Sequence, residues 1–427
     1  MTQRLPFGPV DELNCYLDAP HEPNSVHLET TLPGLLDETA FRAAAMAAIT
    51  GVPRANAHRA RPRPLATSYF WEPVPALETD PISCVTWSSA DELARYRVRF
   101  LASSPPLSTA PPLRLLLARR PDSRETCVVL SAHHAAFDGL SCLDLLGAIA
   151  RAYREPSAGP SQPAAARKHE QEPGAHRTTG VAPLRPRKTL RPVTRIAAVP
   201  SADASAYGFC FLPALAVRAV RSQTATVNDM LIAALIVTIG RWNAEHGWAA
   251  RNIRVTMPIN SRPANQEMLT GNYSRLAAVS ARWHAGVTDP HAILISVTQQ
   301  TRWAKEHDRP QVGPCSRGLA TARLPVAAKR LIMRSFLGLP GRLICDTTLV
   351  SNLGNVAVPP QFGSLTATRM AFSTAAHMPR GLSAGAISLG GQLHVCIRYR
   401  RALLTDAAAA VFAGMYSTAL DDLTMEA

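Results

Sequence analysis

Seven prolines between Pro156 and Pro192, at 156, 160, 163, 173, 183, 186 and 192, interrupt this chain of 427 residues. Few large apolar side chains lie among them. Such a stretch cannot bury enough surface to offset the entropy of ordering it. The pattern predicts a first lobe over residues 1–155, a linker over 156–195 and a second lobe over 196–427. The basic end of the linker (Arg185, Arg187, Lys188, Arg191, Arg195) is expected in solvent, or as a docking patch for an acidic partner. Hydrophobic residues make up 47% and charged residues 18%, so the rest of the chain has the material for two buried cores.

Charge narrows the partners. Lys and Arg number 45 against 31 Asp and Glu, a net charge of +14. That favours nucleic acid, an anionic membrane, a phosphate-bearing cofactor or an acidic carrier protein. The excess is almost all Arg on an Ala- and Pro-rich background, so part of it reads as compositional bias. Nucleic-acid binding is not expected, because aromatics are only 6% and no recognition module is visible. Met1 to Asp18 holds no apolar core of a signal peptide. The longest apolar run, Met230 to Gly240, falls well short of the ~20 residues that span a bilayer. The eight cysteines form no C-x-x-C pair and no metal-ligand spacing, which predicts reduced thiols, a cytoplasmic protein and no metal.

Strands and helices mix in both halves. Val26 to Leu32 alternates as a strand, and Asp37 caps a helix over 38–50 that Gly51 and Pro53 stop. Leu113 to Ala118 and Thr126 to Ser131 read as a hairpin around Pro121-Asp122-Ser123. After Gly139 a helix runs to about Arg154, with Leu143, Leu146, Ile149, Ala150 and Tyr153 on one face. Farther on, a helix over 227–245 starts at a Thr226 or Asn228 cap, Ile253 to Met257 is a strand, and Asp289-Pro290 opens another helix. Strands near 348–350 and 392–399 precede a closing helix from about Asp406. The mixture predicts α+β layers.

The sharpest local signal is His133-His134-Ala135-Ala136-Phe137-Asp138-Gly139, where a strand ends and a helix begins. Side chains alternate on a strand, so the two imidazoles point to opposite sides and one faces a cavity or the other lobe. A histidine there can serve as a general base near neutral pH, its ordinary pKa being ~6.5. Asp138 is expected to lock the turn by pairing with an arginine. Gly139 is expected to permit a tight turn and close backbone approach to a ligand. Joint metal ligation by the two histidines is awkward and no third ligand is evident, which leaves a purely structural pair as the other reading.

H-H-x-x-x-D-G resembles the motif of the CoA- and carrier-protein-dependent acyltransferases. That superfamily includes condensation domains, stand-alone condensation-like enzymes, polyketide-associated acyltransferases and wax ester synthases. Four further blocks follow in family order: Thr226-Val227-Asn228-Asp229-Met230-Leu231 with Trp242, then Pro258-Ile259-Asn260-Ser261-Arg262-Pro263, Gly271-Asn272, and Val350-Ser351-Asn352-Leu353-Gly354-Asn355. The resemblance implies two chloramphenicol-acetyltransferase-like α/β sandwiches forming a V with a tunnel at their interface. It implies acyl transfer from a thioester to a hydroxyl or amine, with His134 as general base and no acyl-enzyme. Asp138 and Gly139 would complete the motif, and His133, Arg262 and Asn260 would support it, Arg262 by pairing with Asp138 across the lobes. Oxyanion donors would come from the backbone near Gly139 or from Ser351 and Asn352.

Acyl-CoA or a phosphopantetheinyl-carrier thioester would be the cosubstrate, with no tightly bound cofactor and an acyl or peptidyl carrier protein as a possible partner. Bacterial specialised metabolism is the implied setting. The plant-type branch carries D-F-G-W-G where this chain has Ser351-Asn352-Leu353-Gly354, which favours the bacterial condensation-like or wax-ester-like branches. The alternative is a non-catalytic scaffold or docking protein on the same fold.

Three weaker signals complete the reading. Gly381-Leu382-Ser383-Ala384-Gly385 spells G-x-S-x-G, but no strand precedes it and no long helix follows, so a Gly-rich turn into a strand is expected rather than a hydrolase elbow. Arg323, Lys329, Arg330, Arg334 and Arg342 are expected on a solvated helix face whose Leu331, Ile332 and Phe336 pack inward, with CoA or carrier binding as the alternative. His377 and Tyr399 are candidate pocket-lining groups, though nothing in their spacing says so.

Overall fold

The computed structural model describes residues 4–156, 193–204, 206–220, 224–249, 251–263, 270–284, 286, 289–307, 323–337 and 345–425. Nearly all of the Pro- and Arg-rich linker, residues 157–192, lies outside the described residues.

Two α/β layers carry the architecture. The first sheet runs, in spatial order, Arg369–Ser373, Ser25–Leu32, Glu125–His133, Leu113–Arg120 and Ile82–Thr86, antiparallel except at the last pair. Strand Glu125–His133 is a near-continuous apolar run because both of its faces are covered. Val128, Leu130 and Ala132 enter the main core of this half, while Cys127 and Val129 pack on the other face with Trp87, Leu116 and Ala118. Helices Glu38–Thr50 and Gly139–Arg154 lie together over the main face, the first capped by Asp37 and the second by Asp138.

The second sheet runs Ser274–Arg282, Asn252–Asn260, Thr348–Val356, Leu382–Leu389, Gln392–Arg400 and Tyr207–Phe211. Helix Val227–Glu245 is its centre, buried around nearly its whole circumference. Thr226 caps it through a reciprocal box with Asp229. Helices Pro290–Glu306 and Asp406–Met425 flank it.

The two layers share a strand. Arg369–Ser373 comes late in the chain yet hydrogen-bonds at the edge of the first sheet, beside Ser25–Leu32. Its other side lies on Leu382–Leu389 of the second sheet so closely that a Cβ at Gly385 would collide with the Phe372 carbonyl oxygen. Met370, Phe372, Ile387 and Leu389 therefore complete the core of the first half.

The same contact accounts for G-x-S-x-G. Ser383 sits inside strand Leu382–Leu389, is buried, and donates its hydroxyl to the Thr374 carbonyl at 3.0 Å, while Gly385 makes room for the crossing strand. Wholly buried Arg398 adds a second tie: Nη1 donates to the Ser25 carbonyl at 3.1 Å, and the guanidinium lies over the Tyr207 ring.

The basic helix face is a correction. In helix Val326–Leu337, Lys329 is 0% exposed, whereas Leu331 and Ile332 are 68% and 46% exposed. Lys329 Nζ lies 3.2 Å from Glu12 Oε1 and donates to the Thr67 carbonyl at 2.8 Å. The helix has two candidate inner stripes, and periodicity cannot choose between them. Buried Glu12 on the neighbouring helix Pro9–Leu17 supplies the countercharge that draws Val326, Lys329 and Met333 inward. The side chains of Arg334 and Phe336, and residue Arg342, lie outside the described residues.

Candidate active site

Strand Glu125–His133 delivers the motif to the seam between the two layers. The turn after it is tight: the Ala136 and Phe137 amides both donate to the His133 carbonyl, at 2.8 and 3.1 Å. His133 is locked. Its Nδ1 accepts the Ala135 amide at 3.0 Å, so the ring proton sits on Nε2, which faces Asp18 Oδ2 at 3.5 Å. Asp18 is held in turn by the Ser104 hydroxyl at 2.6 Å and the Asn24 amide at 3.0 Å. Burial pushes the Asp18 carboxyl up, but the hydrogen bonds from His133, Ser104 and Asn24 more than offset this and bring it down to about 2.

His134 is presented differently. Its backbone is gripped from both sides: its amide donates to the Asn24 carbonyl at 2.9 Å, and its carbonyl accepts Asn272 Nδ2 at 2.8 Å. Asn24 belongs to the first half of the chain and Asn272 to the second. The ring is only partly buried. It lies beside the backbone carbonyls of His134 and Phe137, yet Nδ1 completes no well-formed hydrogen bond among the described residues. Burial lowers the pKa of His134, and the Asp138 carboxylate works against that shift.

Asp138 is committed on both of its oxygens. Oδ1 accepts the Ser141 amide at 2.9 Å and Arg262 Nη2 at 2.7 Å, and Oδ2 accepts the Tyr273 amide at 3.1 Å. Arg262 also donates to Ser141 Oγ at 2.8 Å, lies over the Tyr273 ring and contacts Asn260 Oδ1, while Asn260 itself is exposed. A carboxylate ion-paired and hydrogen-bonded through both oxygens holds geometry rather than moving protons.

The expected reason for Gly139 is corrected. Its backbone is not in the left-handed region, and it begins the helix instead of making a turn. A Cβ there would sit 2.5 Å from Leu353 Cδ2 and 2.8 Å from Phe372 Cε2, so packing favours glycine and a larger residue would displace those side chains. Ser351 is buried on strand Thr348–Val356, and Asn352 spends its amide oxygen on the Gly354 amide at 2.9 Å. Tyr399 is buried and its hydroxyl donates to Asp406 at 2.7 Å. His377 is half-buried, and desolvation together with the nearby Arg398 and Arg380 pushes its pKa down to about 3.

Sequence reasoning missed Asp11, Asp18 and Asn24. Asp11 links Asn272 Nδ2 at 2.9 Å to Arg54 Nη1 at 3.1 Å, and so braces the residue that braces His134. A helix as short as Pro9–Leu17 with Asp11, Glu12 and Asn14 all buried was the only signal, and burial is not readable from sequence. Among the described residues, no three His, Cys, Asp or Glu side chains gather as a metal site needs.

Two uncharacterized proteins of Mycobacterium tuberculosis are each 30% identical to this chain over 439 residues, covering 98% of it and 100% of the relative. The first condensation domain of the calcium-dependent antibiotic synthetase, solved with a substrate analogue, aligns with a TM-score of 0.66 over 99% of this chain and 96% of that one, at 16% identity. The chain belongs to one family with the mycobacterial proteins and carries the condensation-domain fold.

The condensation domain of monacolin K polyketide synthase is similar to this condensation-domain-like chain with a TM-score of 0.65 and 14% identity, over 99% and 98% of the two chains. The starter condensation domain of rhizomide synthetase, solved with C8-CoA, aligns with a TM-score of 0.61 over 97% and 92% at 15% identity. No family model matches the chain.

Proposed function

We propose that this condensation-domain-like protein is an acyltransferase that moves an acyl group from a thioester to a hydroxyl or amine. The observation that carries the reading is His134: an imidazole at the seam, its backbone anchored to both halves and the residue only partly buried. A base lowered by burial is neutral at pH 7 and ready to accept a proton.

The acceptor O–H or N–H loses its proton to His134 as the heteroatom attacks the thioester carbonyl carbon. The tetrahedral oxyanion collapses, the C–S bond breaks, and the departing thiolate takes the proton back from the imidazolium. The products are an ester or amide and a free thiol, with no acyl-enzyme. The Gly139 amide, Ser351 and Asn352 are the candidate donors to the oxyanion. Asp138, Arg262, Asn260, His133 and Asn272 position the loop.

We read residues 1–155 and 196–427 as the two lobes, joined by 156–195, with donor and acceptor meeting at His134 through a tunnel between them. Acyl-CoA or a phosphopantetheinyl carrier thioester is the donor chemistry that fits, and a carrier protein is the corresponding partner.

The test is thiol release from acyl-CoA and acyl-carrier donors with a panel of alcohols and amines. His134→Ala is expected to lower turnover by ~10²–10⁴-fold. Turnover unchanged in that variant removes His134 as the base. No turnover with either donor class favours a scaffold role for the fold.

A further inference from the structure

Helix Val326–Leu337 turns an apolar side outward. Leu324, Leu331 and Ile332 are 41%, 68% and 46% exposed, and Ala327 is exposed with them. Ala327, Leu331 and Ile332 follow one helical stripe, opposite the Val326, Lys329 and Met333 stripe that packs inward, and Leu324 lies just before the helix. The Val326 amide donates to the Ala66 carbonyl at 2.9 Å, which seats Leu65, at 79% exposure, beside the start of this helix. Arg61, Arg63 and Arg323 are exposed around these leucines. In the sequence, no Asp or Glu lies between Glu38 and Glu72, around Leu65, or between Asp308 and Asp346, around the helix.

Four projecting aliphatic side chains with exposed arginines beside them match the boundary between anionic headgroups and acyl chains. A helical peptide partner would need a groove, whereas these side chains stand out from a helix crown and a loop tip. We propose that this face docks on an anionic lipid bilayer, with Leu65, Leu324, Leu331 and Ile332 inserted at the acyl boundary and Arg61, Arg63 and Arg323 on the headgroup phosphates. The face lies close to the candidate site. The helix packs on Pro9–Leu17, whose Asp11 holds Asn272, which in turn holds the His134 carbonyl.

The test is flotation of the full chain with vesicles of about three parts phosphatidylcholine to one part phosphatidylglycerol, against phosphatidylcholine alone. No thioester is present, so the outcome is independent of the acyl-transfer reading. Binding is expected to the anionic vesicles, about ten- to a hundredfold weaker to the neutral ones, and to fall as salt rises.

The double variant Leu331→Glu/Ile332→Glu is expected to lose about tenfold or more in vesicle affinity while keeping its circular dichroism and Tm, since both side chains are exposed. If that variant unfolds, Arg61→Glu/Arg63→Glu/Arg323→Glu tests the rim instead and is expected to abolish the preference for anionic vesicles. Absence of vesicle binding, equal binding to both compositions, or intact binding by the variants overturns the proposal. So does a dimer that the double variant dissociates, or capture of an acidic carrier protein by this face without vesicle binding.

Discussion

Arg262 and Asp138 lie 124 positions apart in sequence and meet at 2.7 Å, with Ser141, Tyr273 and Asn260 completing the contact. The pair joins the loop that carries His134 to strand Asn252–Asn260 of the other layer. Both side chains are buried, at 9% and 5% exposure, so neither charge tolerates the loss of its partner. Arg262→Ala is expected to destabilise the fold by about 3–5 kcal/mol. Urea denaturation of the variant checks this, and a loss below about 1 kcal/mol would mean the contact is not formed in solution.

The acid limb of activity should lie below the ordinary histidine range. Burial lowers the His134 pKa and the Asp138 carboxylate holds it up, so the neutral base persists to lower pH than an exposed imidazole allows. kcat/KM is expected to be level through neutral pH and to fall only below about 6.5. In Asp138→Asn, residual activity should show that limb displaced farther toward acid. A limb above about 6.5, or one that moves up in the variant, contradicts the assignment.

Gly139→Ala should destabilise the protein by about 1–3 kcal/mol, because its Cβ overlaps Leu353 and Phe372. Leu353→Ala in the same chain is expected to recover part of that loss. A double-mutant cycle measures the coupling, and strict additivity would show that the two residues do not touch.

Asp18 should contribute acid-sensitive stability. Its folded pKa is depressed from 3.8 to about 2, so its contribution is complete above 3.8 and is lost as pH falls through 2. After allowance for its partial exposure, the contribution is about 1–2 kcal/mol. The stability gap between the native protein and Asp18→Asn is therefore expected to be largest above pH ~4 and to close toward pH ~2. Denaturant midpoints measured at stepped pH test this. A gap that widens with acid reverses the sign.

Local order was readable in the chain. The caps at Asp37, Thr226 and Asp289, the hairpin around residues 121–123 and the helix after Gly139 all depend on neighbours within a few positions. The heptad His133–Gly139 was readable as a motif for the same reason. The inward side of Val326–Leu337 was not, because that helix carries apolar residues on two stripes and a lysine whose countercharge, Glu12, is 317 residues away.

What the sequence determined by itself is the set of local elements and the residue types gathered at one strand end, since hydrogen bonding, capping and side-chain alternation act over a few residues. Tertiary structure decided which histidine is locked and which keeps an open face, because Asp18, Asn24 and Asn272 are supplied by distant segments. It also decided that a strand from late in the chain closes the first sheet, which is why Gly385 must lack a Cβ and why a Cβ at Gly139 would press on Leu353 and Phe372. Steric exclusion between segments that meet only in the fold leaves no periodic trace in a sequence, and it is felt only when the two surfaces are brought into contact.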